Sequence, residues 1–241
     1  MKRTVMGYAL AGLGLVLGAG RPADAQDMQQ KVAAAKQAAA QNQQALRAYT
    51  WIEKTEILVK GEVKNTKVES CRYGPDGKVQ KTPLSEPAEK EEDTPRGPKA
   101  RVKAQMKAKV VEKKTGEMKA EMEAAGALVH QYVPPSPEKI QAAQAAGKIT
   151  VTPGSGTTAL RIADYLKAGD SLVLTLDSAA KGMKQMNVDT WKDDPSDKVT
   201  LNVQMQSLPD GTDYAGAIVL AVPSSHIEVH VTNSNYQKLA P

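Results

Sequence analysis

Between Gly169 and Leu239 apolar and polar residues alternate through four or five short runs, each closed by a turn signal. Leu172, Leu174 and Leu176 share one parity, as do Val199, Leu201, Val203 and Met205, and again Ile227, Val229 and Val231. A period of two puts one face of a strand on a core and the other in water. Leu208-Pro209-Asp210-Gly211 supplies a turn, with Pro presetting φ and Gly taking the positive φ. The pattern predicts an antiparallel meander with one buried face. A second block of the same period runs from Tyr49 to Thr82, with Tyr49, Trp51, Thr55, Ile57 and Val59 on one parity. Lys60-Gly61-Glu62 reads as a hairpin connection, and Gly74-Pro75-Asp76-Gly77 as a type I turn with a bulge. Three antiparallel strands are expected there.

The rest of the chain changes period. Gln26 to Ala48 is rich in Ala, Gln and Lys, without Gly or Pro. It predicts an N-terminal helix that docks weakly, because its larger apolar residues are Val32 and Leu46. Pro83, Pro87, Pro95 and Pro98, with the acidic Glu89, Glu91, Glu92 and Asp93, mark 83–98 as a solvated loop. Lys99 to Tyr132 is helical in composition and basic on its surface, and Thr115-Gly116 could kink or divide it. Val102, Met106 and Val110 recur at spacing four, and Met118, Met122, Ala125 and Val129 continue the stripe. The stripe predicts a helix docked along its length, including through Met106 and Val110. The other reading of the same stretch is a basic amphipathic helix that meets anionic lipid or a partner.

Ser136 caps a following helix, with Pro137 in its first turn, and Gly147 stops it. Thr152 to Gly156 reads as a flexible link, and Thr157 as the cap of a short helix bearing Leu160, Ala163 and Leu166, closed by Gly169. Taken together the elements predict an α+β fold. Residues 49–241 form one domain, with the basic helical segment 99–147 inserted between two β-meanders.

The N-terminus predicts export. Lys2 and Arg3 precede an apolar stretch from Thr4 to Gly20, and Ala23-Asp24-Ala25 is a cleavage site, so 1–25 reads as a signal peptide and Gln26 as the mature start. The expected location is periplasmic or secreted, with no membrane span after cleavage. The chain has one cysteine, no Phe and two Trp. Cys71 shares the parity of Tyr73 and reads as a buried small hydrophobe, and the core is expected to be aliphatic with Met as filler. The net charge of +5 is concentrated in the basic segment. Nucleic acid is not expected as a partner, because that segment lacks interleaved aromatic residues.

No Gly-rich phosphate loop, G-x-S-x-G elbow or H-E-x-x-H occurs. Ser155 lies between two glycines with nothing to mark a base for it, and Asp193, Asp194, Asp210 and Asp213 fall in turns. His226, Glu228 and His230 would share one face of a strand. Neighbours two apart on a strand lie about 6.8 Å from each other, so two of them could bind a metal if another strand gave a third ligand. The plainer reading is the solvent face of a strand whose core face is Ile227, Val229 and Val231. No catalytic residue and no cofactor is expected.

The layout resembles the periplasmic lipoprotein-carrier superfamily, which includes the lipoprotein-localisation proteins and related sigma-factor regulators. The resemblance rests on the signal peptide, a first meander, intervening helices and a second meander carrying Asp210-Gly211-Thr212-Asp213-Tyr214. It implies a curved antiparallel sheet, an incomplete half-barrel lidded by helices, whose cavity holds acyl chains. Trp51, Ile57, Leu174, Leu201 and Val203 are then the candidates to line that cavity. The expected function is non-enzymatic binding of a lipid or acyl chain, or of a partner peptide. The alternatives are an envelope interaction module without a cavity and, third, a metal-dependent hydrolase.

Overall fold

The computed structural model describes residues 37–84, 98–178 and 182–239. The signal peptide, the first part of the N-terminal helix and nearly all of the acidic Pro-rich loop lie outside the described residues. Helix α1 is seen over 37–46. The remaining elements in order are β1 (Tyr49–Val59), β2 (Glu62–Tyr73), β3 (Val79–Pro83), α2 (Pro98–Val129), α3 (Pro137–Ala145), β4 (Ile149–Gly154), β5 (Thr157–Ala163), β6 (Ser171–Asp177), β7 (Met183–Trp191), β8 (Lys198–Ser207), β9 (Asp213–Val222) and β10 (Ile227–Lys238).

Among the described residues ten strands form one antiparallel sheet in the order β3-β2-β1-β10-β9-β8-β7-β6-β5-β4. The two meanders are therefore halves of one sheet, joined where β1 pairs with β10 from Val59↔Ile227 to Tyr49↔Lys238. The edge strands β3 and β4 do not pair, so the sheet stays open. The architecture is α+β, but mostly sheet. Directly opposed residues share a face. Thr55↔Val231, Val231↔Ile218, Ile218↔Val203, Val203↔Met186, Met186↔Leu174 and Leu174↔Leu160 thus carry one apolar face from β1 to β5.

Turn chemistry explains the hairpins. Lys60 and Gly61 both have positive φ, 54° and 78°, which matches the twist of a two-residue hairpin. The Pro-Asp-Gly turns after β2 and β8 have the same construction. Gly77 donates to Gly74 O at 2.9 Å and Gly74 to Lys78 O at 2.8 Å, just as Gly211 donates to Leu208 O at 2.9 Å and Leu208 to Thr212 O at 2.8 Å. In each the Asp side chain accepts from the backbone two residues on, at 3.1 Å. Helix α3 starts as the sequence predicts, with Ser136 Oγ accepting from Lys139 N at 3.3 Å.

Two local expectations are overturned. The helix expected from Thr157 is strand β5, and the link before it is β4, paired from Ile149↔Ile162 to Gly154↔Thr157. Leu160 and Ile162 are both buried, so the period of two prevails over the three-residue spacing of Leu160, Ala163 and Leu166. Strand β5 leads into a loop built on Asp170, whose buried carboxylate accepts from Leu166 N at 3.1 Å and Lys167 N at 3.0 Å.

The second correction concerns α2, which is continuous through Thr115-Gly116. Among its described side chains it docks only at the C-terminal end, where Ala125 and Val129 are buried and Glu121 pairs with Lys192 and accepts from Ser225 Oγ at 2.9 Å. Met106 and Val110 do not dock: they are 64% and 55% exposed, and Val111 is 62% exposed.

The main core lies between the β5–β9 part of the face and the end of α2 with α3. It contains Leu160, Ile162, Leu172, Leu174, Met186, Val188, Leu201 and Val203 from the sheet, and Ala125, Val129, Tyr132, Ile140 and Ala143 from the helical side. Within it Tyr132 donates to Asp170 Oδ2 at 2.5 Å and lies 2.7 Å from Thr190 Oγ1. A buried network with each member partnered fixes the α2–α3 junction to the sheet. Burial, reinforced by the Asp170 hydrogen bond, pushes the Tyr132 hydroxyl well above its ordinary pKa.

Candidate functional site

Beyond β9 the same face continues across β10, β1, β2 and β3, with α1 as the helix against it. Leu46 of α1 is buried, and Asn42 grips the backbone of Asp213 in both directions, accepting from its N at 2.7 Å and donating to its O at 2.8 Å. That grip is firmer than the Ala-rich composition of the helix suggested. Between α1 and the sheet lies a cavity of about 220 Å³.

Aliphatic side chains from Leu201, Ile218, Leu220, Val229 and Val231 form one end of the cavity, and Trp51, Tyr73, Tyr214 and Tyr236 form another. The rings pack on each other: Trp51 stacks on Tyr236 at 5.6 Å between centroids, and Tyr214 lies 4.2 Å from Tyr236. A bulge brings Tyr236 here. The β1–β10 register shifts between Thr50 and Ile52, and Asn235 takes φ 53°. One extra residue reverses the parity, so Tyr236 joins the face of Val231 and Asn233 instead of the solvent face. Burial pushes the Tyr236 and Tyr73 hydroxyls up from their ordinary pKa.

A charged group sits within this largely apolar lining. Glu53, on the parity of Trp51 and Thr55, is buried and ion-paired with Lys81 of β3. Thr55 Oγ1 donates to Glu53 Oε1 at 3.3 Å. Glu69 stands directly opposite Glu53 in the β1–β2 register, and Lys67 pairs with it. Two carboxylates face to face would repel, and the two lysines offset them. Asn233 Nδ2 donates to Ala215 O at 2.9 Å. Cys71, beside this group, is 1% exposed, and burial together with the Glu53 charge pushes its thiol up to about 12. It is an inert buried thiol, as its parity suggested.

The carboxylates are neutralised by lysines, and the walls are rings and aliphatic chains that shelter an apolar group from water. Of the residues put forward as cavity lining, Trp51 and Leu201 line it. Leu174 and Val203 are instead fully packed in the main core, and Ile57 lies farther along β1, outside the lining. Glu53 was missed although its position on the apolar parity of β1 was visible. Tyr236 was not legible, because the bulge at Asn235 inverts its parity.

The His/Glu candidates come apart. His226 is not on the strand: it has φ 52°, donates from its N to Pro223 O at 3.1 Å and accepts from Lys60 N at 2.8 Å. Glu228 and His230 do share an exposed face, 2.7 Å apart, opposite to the face of Val229 that lines the cavity. Among the described residues no group of three His, Cys, Asp or Glu is placed to hold a metal ion, nor is any helix long and apolar enough to cross a membrane.

No protein-family model matches the chain, and no curated protein matches it. Among solved structures it is similar to a DUF1329 family protein from Desulfovibrio piger, at 11% identity and a TM-score of 0.37 over 82% of this chain and 88% of that one. A likeness that low leaves the lipoprotein-carrier layout a proposal, and the reading of the site rests on its own geometry.

Proposed function

We propose that the protein is exported and non-enzymatic, and that it binds the apolar chain of a lipid in the cavity between α1 and the open half of the sheet. The carrying observation is one apolar sheet face with two fates. Under α2 and α3 its side chains are buried, whereas between Trp51, Tyr236, Leu220 and Val231 it borders a cavity of about 220 Å³. A water occupies roughly 30 Å³, so the space takes on the order of seven water-sized groups. That fits one segment of an acyl chain, not a whole two-chain lipid. Export rests on the N-terminal sequence, and the carrier layout agrees with the reading.

Native mass spectrometry of protein purified from the periplasm, followed by titration with a fluorescent fatty acid, tests it. The expected result is saturable uptake that weakens about ten-fold in Trp51→Ala, equivalent to ~1.4 kcal/mol. Protein that is always ligand-free and takes up no fatty acid would overturn the reading.

A second reading, an envelope interaction module, is favoured by one observation: the N-terminal half of α2 leaves Met106, Val110 and Val111 in solvent.

A further inference from the structure

The free half of α2 has a chemistry of its own. From Pro98 to Glu117 it rises roughly 30 Å at 1.5 Å per residue, and every side chain from Lys109 to Glu117 is exposed. Over 98–119 it carries eight basic residues against Glu112 and Glu117, a surplus of six, while the whole chain is net +5. The arm therefore accounts for the positive charge of the protein, and the remainder is close to neutral.

The charge is arranged around an apolar stripe. Met106 and Val110 stand one turn apart on the same face. At 100° per residue, Lys109 and Lys113 fall on one flank of that stripe, and Lys114 on the other. Glu112 falls on the opposite side, and Glu117, which ends the stripe on its own line at the end nearer the body, lies 3.8 Å from Lys113. Exposed apolar side chains with lysines on both flanks suit a helix that lies in a lipid–water interface, with its stripe in the acyl boundary and its amines at the phosphates.

We propose that this arm is a docking surface for an anionic lipid surface. An acidic protein groove is the weaker match. Specific pairing with carboxylates favours the planar fork of Arg, whereas the arm carries evenly spaced lysines and only Arg101. Point charges spread along 30 Å match a plane of phosphates that has no fixed positions of its own. The inference does not depend on the cavity, because none of the described arm residues lines it.

Co-sedimentation of the full chain with phosphatidylcholine vesicles, with and without phosphatidylglycerol, tests it at low and at high salt. The expected result is binding to the anionic vesicles only, lost at high salt. A lysine near such a surface contributes roughly five-fold. Lys109→Gln with Lys113→Gln and Lys114→Gln should therefore weaken binding on the order of 100-fold, and Met106→Ser with Val110→Ser should also weaken it. Both variants should keep the melting temperature and fatty-acid uptake of the wild type, because these side chains are exposed. Equal binding to both kinds of vesicle, no binding to either, or binding unmoved by the lysine triple would overturn the proposal. So would salt-sensitive binding to an acidic protein without vesicle binding.

Discussion

The two halves of the sheet follow the same binary pattern and end in different environments. In the β5–β8 half, Leu174, Val188 and Val203 meet α2 and α3 and are sealed off from water. In the β10–β2 half, Val229, Val231 and Thr55 occupy equivalent face positions but are only partly buried and border a cavity. Alternation specifies which side chains share a face. What lies on that face depends on how many helices reach it and how bulky their side chains are. The covered half receives Val129 and Ile140 from two helices and Tyr132 from the junction between them. The open half receives mainly Leu46 of α1 and fills the remaining perimeter with rings. A packed half holds the fold and a half-filled one is free to hold something else.

The contrast can be broken at matched positions. Leu174→Ala should cost about 2–5 kcal/mol, since it opens a cavity in packed surroundings. Val231→Ala, on the same face but beside existing space, should cost roughly 1 kcal/mol or less, because fewer contacts are lost. Urea denaturation of both variants measures the difference. Equal losses would mean that the open half is packed as tightly as the covered one.

Each half also carries a Tyr–Asp hydrogen bond of 2.5 Å, Tyr132–Asp170 in the core and Tyr49–Asp210 at the rim. Tyr132→Phe removes the hydroxyl partner of a buried carboxylate and of Thr190, so a loss of about 1–3 kcal/mol is expected in thermal unfolding. Tyr49→Phe should cost clearly less, because water can replace the hydroxyl at Asp210.

The smallest effect is a matter of pH. The Tyr49 hydroxyl, then the Thr212 side chain and backbone, hold the Asp210 carboxyl down at about 2. A carboxylate whose folded pKa is depressed stabilises the protein above its unfolded value, near 4, and that contribution fades as pH falls toward 2. The stability difference between wild type and Asp210→Asn should be constant from neutral pH to about 4 and shrink between 4 and 2. A difference that grows on acidification would contradict this assignment.

Much of the fold was legible because it is local. The parity of Leu172, Leu174 and Leu176 needs only a period of two, and the Pro-Asp-Gly turns need only the φ that Pro and Gly dictate. Ser136 announces α3 by its own hydroxyl. The site was half legible: Trp51 and Leu201 lie on visible apolar parities, and Glu53 interrupts one of them.

What the sequence determined by itself is therefore the strands of the two meanders, β1–β3 and β6–β10, with most turns, α3 and the helical character of 98–129. Tertiary structure decided the rest, because the deciding contacts are far apart in the chain. Thr157–Ala163 could follow either period, and pairing with β4 and β6 made it a strand. Tyr236 faces the cavity only because β10 absorbs an extra residue against β1. The stripe on α2 is continuous in sequence, but the sheet underlies only its last turns. Ala125 and Val129 are buried there, and Met106 and Val110 are left in water. Periodicity specifies a face, and only a neighbouring surface can bury it.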